Sequence, residues 1–72
     1  MKAFKRGEKV RFAPSETTIV GLEFDDYSHV RETGIIVRIW YLDDANTQPV
    51  YVVRFPDGYE INAHPAELAK EE

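Results

Sequence analysis

The chain has 72 residues, no cysteine, and 13 acidic against nine basic side chains, for a net charge of −4. A chain this short buries only about 60% of the surface its unfolded form exposes, so a single domain over residues 1–72 with one modest core is expected. Lack of cysteine excludes disulfides, zinc–thiolate and iron–sulfur sites and thiol catalysis, while a hydrophobic content of 43% excludes a disordered chain.

Gly7 marks a turn, and residues 8–13 alternate after it. Val10 and Phe12 share one face, Lys9 and Arg11 the other, the pattern of a half-buried strand. Pro14-Ser15 ends it. Residues 14–33 are the least regular part of the chain. Ile19, Val20, Leu22 and Phe24 fit either a short strand or a loop folded back on the core, and Asp25-Asp26-Tyr27-Ser28 reads as a turn. A connection of about twenty residues in so small a domain is usually functional.

Gly34 opens the strongest β segment, residues 35–42, and the polar connection 43–49 leads to a second one, residues 50–55, dense in β-branched and aromatic side chains. Phe55-Pro56-Asp57-Gly58-Tyr59 is the sharpest local signal. Proline presets the first turn position and glycine accepts the positive φ that closes a three-residue hairpin loop, so residues 59–63 return as a strand. His64-Pro65-Ala66-Glu67 predicts one helical or 3₁₀ turn, with Leu68 plugging the core and residues 69–72 as a charged tail.

The tight hairpin places Val53 opposite Ile61 and Arg54 opposite Glu60. Setting Leu42 opposite Val50 puts Trp40 beside Val52 and Arg38 beside Arg54. The core face is then Val37, Ile39, Tyr41, Tyr51, Val53, Phe55, Tyr59 and Ile61. The other face carries Ile36, Arg38, Trp40, Leu42, Val52, Arg54, Glu60 and Asn62. Either residues 14–33 or a partner covers the apolar part of that second face.

Charge is unevenly distributed. Residues 1–12 hold Lys2, Lys5, Arg6, Lys9 and Arg11 against Glu8, whereas the rest of the chain holds four basic and twelve acidic side chains. The longest apolar runs, Ile35–Val37 and Ile39–Leu42, fall far short of the roughly 20 residues a membrane span needs. No apolar stretch follows the basic start to make a secretory signal, and a cytoplasmic protein is expected.

Several segments carry a family resemblance. Phe4-Lys5-Arg6-Gly7-Glu8-Lys9-Val10-Arg11 resembles the F-x-x-G-x-x-V-R opening of SH3-like small barrels, and Thr33-Gly34-Ile35-Ile36-Val37 resembles their second-strand G-x-V segment. Tyr51-Val52-Val53-Arg54-Phe55-Pro56-Asp57-Gly58 is similar to their Y-x-V-x-F-x-D-G hairpin, and Glu67-Leu68 to their closing E-L. The resemblance implies an all-β, five-stranded SH3-like barrel with a long first connection and a 3₁₀ or helical turn near its end. Over most of the chain the plan is shared by the small-barrel accessory protein of photosystem I, the variable chain of ferredoxin–thioredoxin reductase, the C-terminal part of nitrile hydratase β and the nitrogenase accessory protein NifZ. Tudor domains share the hairpin. The HspQ-like hemimethylated-DNA-binding domains match at the opening, at Gln48-Pro49-Val50-Tyr51 and at the closing E-L. These motifs specify barrel geometry rather than chemistry.

Catalysis has little support. No nucleophile motif surrounds Ser15 or Ser28, and the carboxylate pairs Asp25-Asp26 and Asp43-Asp44 fit solvated turns. His29 and His64 make no zinc spacing, Asp43-Asp44-Ala45-Asn46 lacks the features of a calcium loop, and the four glycines are scattered singly. No cofactor and no metal are expected. A non-enzymatic module that docks to a partner protein is expected, with Phe24, Asp25, Asp26 and Tyr27 of the first connection and Trp40 of the sheet as binding residues. The alternative is a nucleic-acid-binding barrel using Lys5, Lys9, Arg11, Arg38 and Arg54, against which stands the acidity of the remaining chain.

Overall fold

The computed structural model describes residues 3–71; Met1 and Lys2 of the basic start and Glu72 of the charged tail lie outside the described residues. Among those described, five antiparallel strands form one sheet: β1 (Lys9–Phe12), β2 (Thr33–Tyr41), β3 (Pro49–Arg54), β4 (Glu60–Ala63) and β5 (Leu68–Lys70). Two short helices, α1 (Glu16–Val20) and α2 (Phe24–Tyr27), occupy the first connection, and a 3₁₀ turn spans Pro65–Glu67. The spatial order is β4-β3-β2-β1-β5. The expected closed barrel is not formed, because β4 and β5 are the two edges and no ladder joins them among the described residues.

The β3–β4 hairpin follows its sequence closely. Gly58 takes φ +90° and its N–H donates to the Phe55 carbonyl at 2.8 Å, while the Phe55 N–H reaches the Tyr59 carbonyl at 2.9 Å. Val53 lies opposite Ile61 and Arg54 opposite Glu60, as the turn length requires. The 3₁₀ turn also stands where Pro65 predicts it, with Glu67 Oε1 accepting the His64 N–H at 2.8 Å.

Three expectations are corrected. Residues 16–20 and 24–27 are helical, where a short strand or a loop through Ile19, Val20, Leu22 and Phe24 and a turn at residues 25–28 were expected. Ser15 caps α1, its Oγ accepting the Thr18 N–H at 3.3 Å, and this capping outweighs the β-branched run Thr17-Thr18-Ile19-Val20. Leu68 is buried as expected, but residues 69 and 70 are not a tail: they continue from it as the fifth strand, pairing Phe12 with Leu68 and Val10 with Lys70. The third correction is the β2–β3 register. Trp40 lies opposite Val50, Arg38 opposite Val52 and Ile35 opposite Arg54, with an irregularity between Ile36 and Arg38. The one-residue bulge at Val37 reverses which of its neighbours faces inward, so Ile36 rather than Val37 fills the core. The pairing of Trp40 with Val50, two residues from the expected register, also places Arg38 opposite Val52 and away from Arg54.

The inner face packs Phe4, Val10, Phe12, Ile36, Tyr51, Val53, Phe55, Ile61, Ala63 and Leu68 into one cluster. Phe4 meets Tyr51 edge-on at 5.4 Å, and its N–H donates to the Tyr51 hydroxyl at 3.1 Å, which gives the aromatic opening of the chain a defined seat. Gly34 lets β2 press against β3. A Cβ there would stand 2.6 Å from Val53 Cγ1 and 2.8 Å from the Arg54 carbonyl oxygen, and backbone cannot yield as a flexible side-chain tip can. Gly34→Ala is therefore expected to destabilise the fold by about 1–3 kcal/mol, read as a lower urea midpoint. An unchanged midpoint would remove the close approach as a constraint.

Candidate functional site

Residues 13–32 leave the end of β1 and return to it. The Arg31 N–H donates to the Phe12 carbonyl at 2.6 Å and the Phe12 N–H to the Glu32 carbonyl at 3.0 Å, so both ends of the excursion are tied to one residue. Arg31 takes φ 72° to make the return. Between those ties, neither α1 nor α2 buries a residue, and helices of five and four residues are far too short to persist alone. Leu22 and Val30 pack part-buried against the core. Polar bonds hold the rest.

His29 makes the principal one. Its ring is buried, with 7% exposure, stacked on Tyr59 with centroids 4.6 Å apart and tilted against Phe55 at the same distance. Nδ1 lies 2.7 Å from the Asp25 carbonyl oxygen and Nε2 lies 2.8 Å from Asp57 Oδ2, with Glu32 Oε1 3.8 Å away. The Asp25 carbonyl, above all, raises the His29 pKa above its ordinary 6.5, and Asp57 and Glu32 add to the effect against the opposing cost of burial. Nearby, the Tyr59 hydroxyl donates to Asp26 Oδ1 at 2.6 Å. That bond pushes the phenol up to about 12. Asp57 also accepts the Tyr59 N–H on Oδ1 at 2.9 Å; this bond and the His29 bond hold its carboxyl below the usual value.

Ser28, His29 and Asp57 superficially resemble a nucleophile–base–acid set, since Ser28 Oγ lies 3.2 Å from Nδ1. The hydrogen bonds point elsewhere. Ser28 Oγ donates to the Asp25 carbonyl at 2.8 Å, and Nδ1 donates to the same oxygen, so Nδ1 has no lone pair with which to deprotonate the serine. The cluster fastens the connection to the hairpin. The Asp43-Asp44 pair likewise builds a turn: Asp43 accepts the N–H groups of Thr47 and Gln48 at 2.9 and 3.0 Å. No group of three or more possible metal ligands gathers among the described residues.

The expected docking residues separate into two places. Phe24 and Tyr27 stand out on α2 with 82% and 56% exposure, Asp25 is exposed beside them, and Asp26 turns toward Tyr59. Val20, which no sequence pattern marks as a binding residue, is 87% exposed at the end of α1. A shallow depression of about 370 Å³ lined by Ile19, Tyr27, Val30 and Arg31 lies within the same segment. Trp40 is elsewhere, opposite the far end of β3 from the turn that holds His29. Its Nε1–H donates to Asn62 Oδ1 at 3.2 Å, across the strand carrying Val50 and Val52. Those two valines face away from the core yet are 3% and 7% exposed, so the indole serves as their cover and neither residues 14–33 nor a partner is needed there.

The basic residues of the alternative reading are partly gathered. Register puts Lys9, Arg11, Arg38 and Arg54 on the outer face of the sheet, while Lys5 lies in the turn before β1. Two of the four are matched by acids. Arg11 pairs with Glu71 at 3.1 Å and Arg54 with Glu60 at 2.6 Å.

No protein-family model, no curated protein and no solved structure matches this chain. Among the described residues no helix is long and apolar enough to cross a membrane.

The acid limb of stability follows from Asp57. A carboxylate whose folded pKa lies below its ordinary 3.8 contributes stability that is present above that value and lost as pH falls through the lowered one. Between about pH 6 and pH 3 the urea midpoint is expected to fall, and to fall less in Asp57→Ala, which starts lower. Parallel curves for the two proteins would contradict the role given to Asp57.

Proposed function

We propose that this chain is a non-enzymatic SH3-like module that docks to a partner protein through residues 20–27. The SH3-like plan is supported by the strand order, in which the fifth strand returns beside the first, and by the 3₁₀ turn between β4 and β5. Seating of Phe4 in the core by the F-x-x-G opening, and the Pro56-Asp57-Gly58 hairpin, agree with it. In this reading the sheet is an open version of the barrel that these families share.

One observation carries the docking reading: Phe24 and Val20 are nearly fully exposed on a segment that specific polar bonds fasten to the sheet. Water does not retain a large apolar side chain on a pinned platform for the sake of the fold, and a pre-ordered aromatic loses little entropy when it docks. Glu23 and Asp25 flank Phe24 in the chain with negative charge. The partner therefore presents an apolar pocket with a basic rim, with Phe24 as the anchor and Tyr27 beside it. Trp40 acts inside the module as the cover of Val50 and Val52.

Phe24→Ala is expected to leave the thermal midpoint unchanged and to lower affinity for the captured partner about tenfold or more. Trp40→Ala is expected to lower the midpoint while sparing the partner's contact surface. The measurement is a pull-down from the source cell at two salt concentrations with wild type, Phe24→Ala and an Ala45→Ser control on the distant β2–β3 turn. Capture that survives Phe24→Ala would refute this surface. A second reading, nucleic-acid binding, draws on the common outer face of Lys9, Arg11, Arg38 and Arg54; the two ion pairs leave Lys9 and Arg38 to carry it. Salt-dependent binding of single- or double-stranded oligonucleotides that Lys9→Ala/Arg38→Ala abolishes would establish it, and no binding at low salt would end it.

A further inference from the structure

We infer that His29 is a proton-operated latch on the docking segment: doubly protonated, it fastens residues 20–27 to the β3–β4 turn, and loss of one proton releases that fastening and weakens docking. The inference rests on the docking role of residues 20–27 and adds its regulation.

The geometry requires the charged ring. Nδ1 faces the Asp25 carbonyl oxygen at 2.7 Å and Nε2 faces Asp57 Oδ2 at 2.8 Å, and both oxygens can only accept. Ser28 Oγ lies 3.2 Å from Nδ1 and its hydroxyl can turn to that nitrogen, but it then gives up its own bond to the Asp25 carbonyl and leaves that oxygen 2.7 Å from an unprotonated Nδ1. A neutral imidazole has one N–H. Whichever tautomer forms, a nitrogen lone pair of the buried ring is left facing an oxygen lone pair, at Nδ1 against the Asp25 carbonyl or at Nε2 against Asp57. Either the tie to Asp57 or the tie to α2 is lost.

The acids whose charge favours the cation are Glu32, from the turn after α2, and Asp57, from the hairpin; α2 contributes the Asp25 carbonyl, and Tyr59 stacks on the ring with its hydroxyl on Asp26. Arg31, the cation of the same turn, forms no ion pair with these acids among the described residues. Protons reach the latch easily. A surface depression of about 400 Å³ lined by Glu32, Thr33, Pro56 and Asp57 opens at the seam, and the Asp57 side chain is 60% exposed.

Since α1 and α2 bury no residue, this bond matters more to the segment than a bond of the same kind would in a packed helix. The Tyr59–Asp26 bond persists, because that phenol stays protonated to about pH 12. Release is therefore partial: one fastening opens and the other holds. The sign follows from the direction of the shift. A histidine whose folded pKa is raised contributes stability that is full below 6.5 and is lost as pH rises through the folded value.

Amide hydrogen exchange on the full chain, corrected for intrinsic pH dependence and run from about pH 6 to about pH 9, tests the latch alongside an NMR titration of the His29 ring. Protection across residues 24–32 is expected to fall as His29 titrates, while β2 and β3 keep theirs. In Asp57→Asn the amide can donate to a neutral Nε2, so the midpoint is expected to move to lower pH. In His29→Gln the pH dependence is expected to vanish. Constant protection through the His29 titration overturns the proposal, as does an unchanged pH dependence in His29→Gln. If that variant does not fold, an unmoved midpoint in Asp57→Asn overturns it instead. None of these readings needs a partner, so failure of the latch is separable from failure of the docking surface, which Phe24→Ala reports at fixed pH. Once a Phe24-dependent partner is captured, wild type is expected to retain more of it at pH 6 than at pH 8.5; equal retention refutes the coupling to docking.

Discussion

The two oxygens of Asp57 accept from different parts of the chain. Oδ1 takes the Tyr59 N–H two residues on and closes the hairpin loop; Oδ2 takes the ring N–H of His29 from 28 residues back. A local turn and a long-range tie thus share one carboxylate. The hairpin must form with glycine in its positive-φ position before Oδ2 points toward His29, and the first connection has little else to hold it. With the neighbouring Tyr59–Asp26 bond, that shared acceptor ties α2 and the turn after it to the hairpin.

The sheet meets a different problem with equally few groups. So small a domain has one core, and the open order β4-β3-β2-β1-β5 leaves the outer face bare. A single indole, tethered to Asn62, shields the two valines that this face would otherwise expose. Ion pairs finish the surface on either side, with Glu71 also accepting from Thr33 Oγ1 at 2.7 Å. Exposed pairs of this kind are worth little individually, about 0–1 kcal/mol. Their larger effect here is to neutralise two of the four arginine and lysine side chains on that face and so blunt its attraction for phosphates.

What the sequence made legible was local. Pro56-Asp57-Gly58 has its own turn chemistry, Pro65 its own helical start, and Val10-Arg11-Phe12 its own alternation, so the β3–β4 register and the ends of these elements follow without tertiary information. The β2–β3 register did not, because the extra residue at Val37 and the length of the paired ends depend on how the two strands meet, and no residue type announces either. Helix α1 was hidden by Thr17, Thr18, Ile19 and Val20, whose bias toward strand is overruled by the Ser15 cap, and the four residues of α2 carry the turn-forming pair Asp25-Asp26. His29 had no local signal at all. Its partners are a backbone carbonyl and a carboxylate 28 residues away, which no spacing rule connects.

Val10 stands across from both Gly34 and Lys70, so the first strand is the seam at which the polypeptide arrives and departs. The start of β1 and the end of β5 therefore share one corner of the sheet, while residues 13–32 depart from the far end of β1. Force drawing β5 away from β1 would break that three-residue pairing one bond after another, like a zip, before it strained the hairpins. Detachment would begin at the edge of the sheet, and Phe4 and Leu68 would be the first of the interior to meet water.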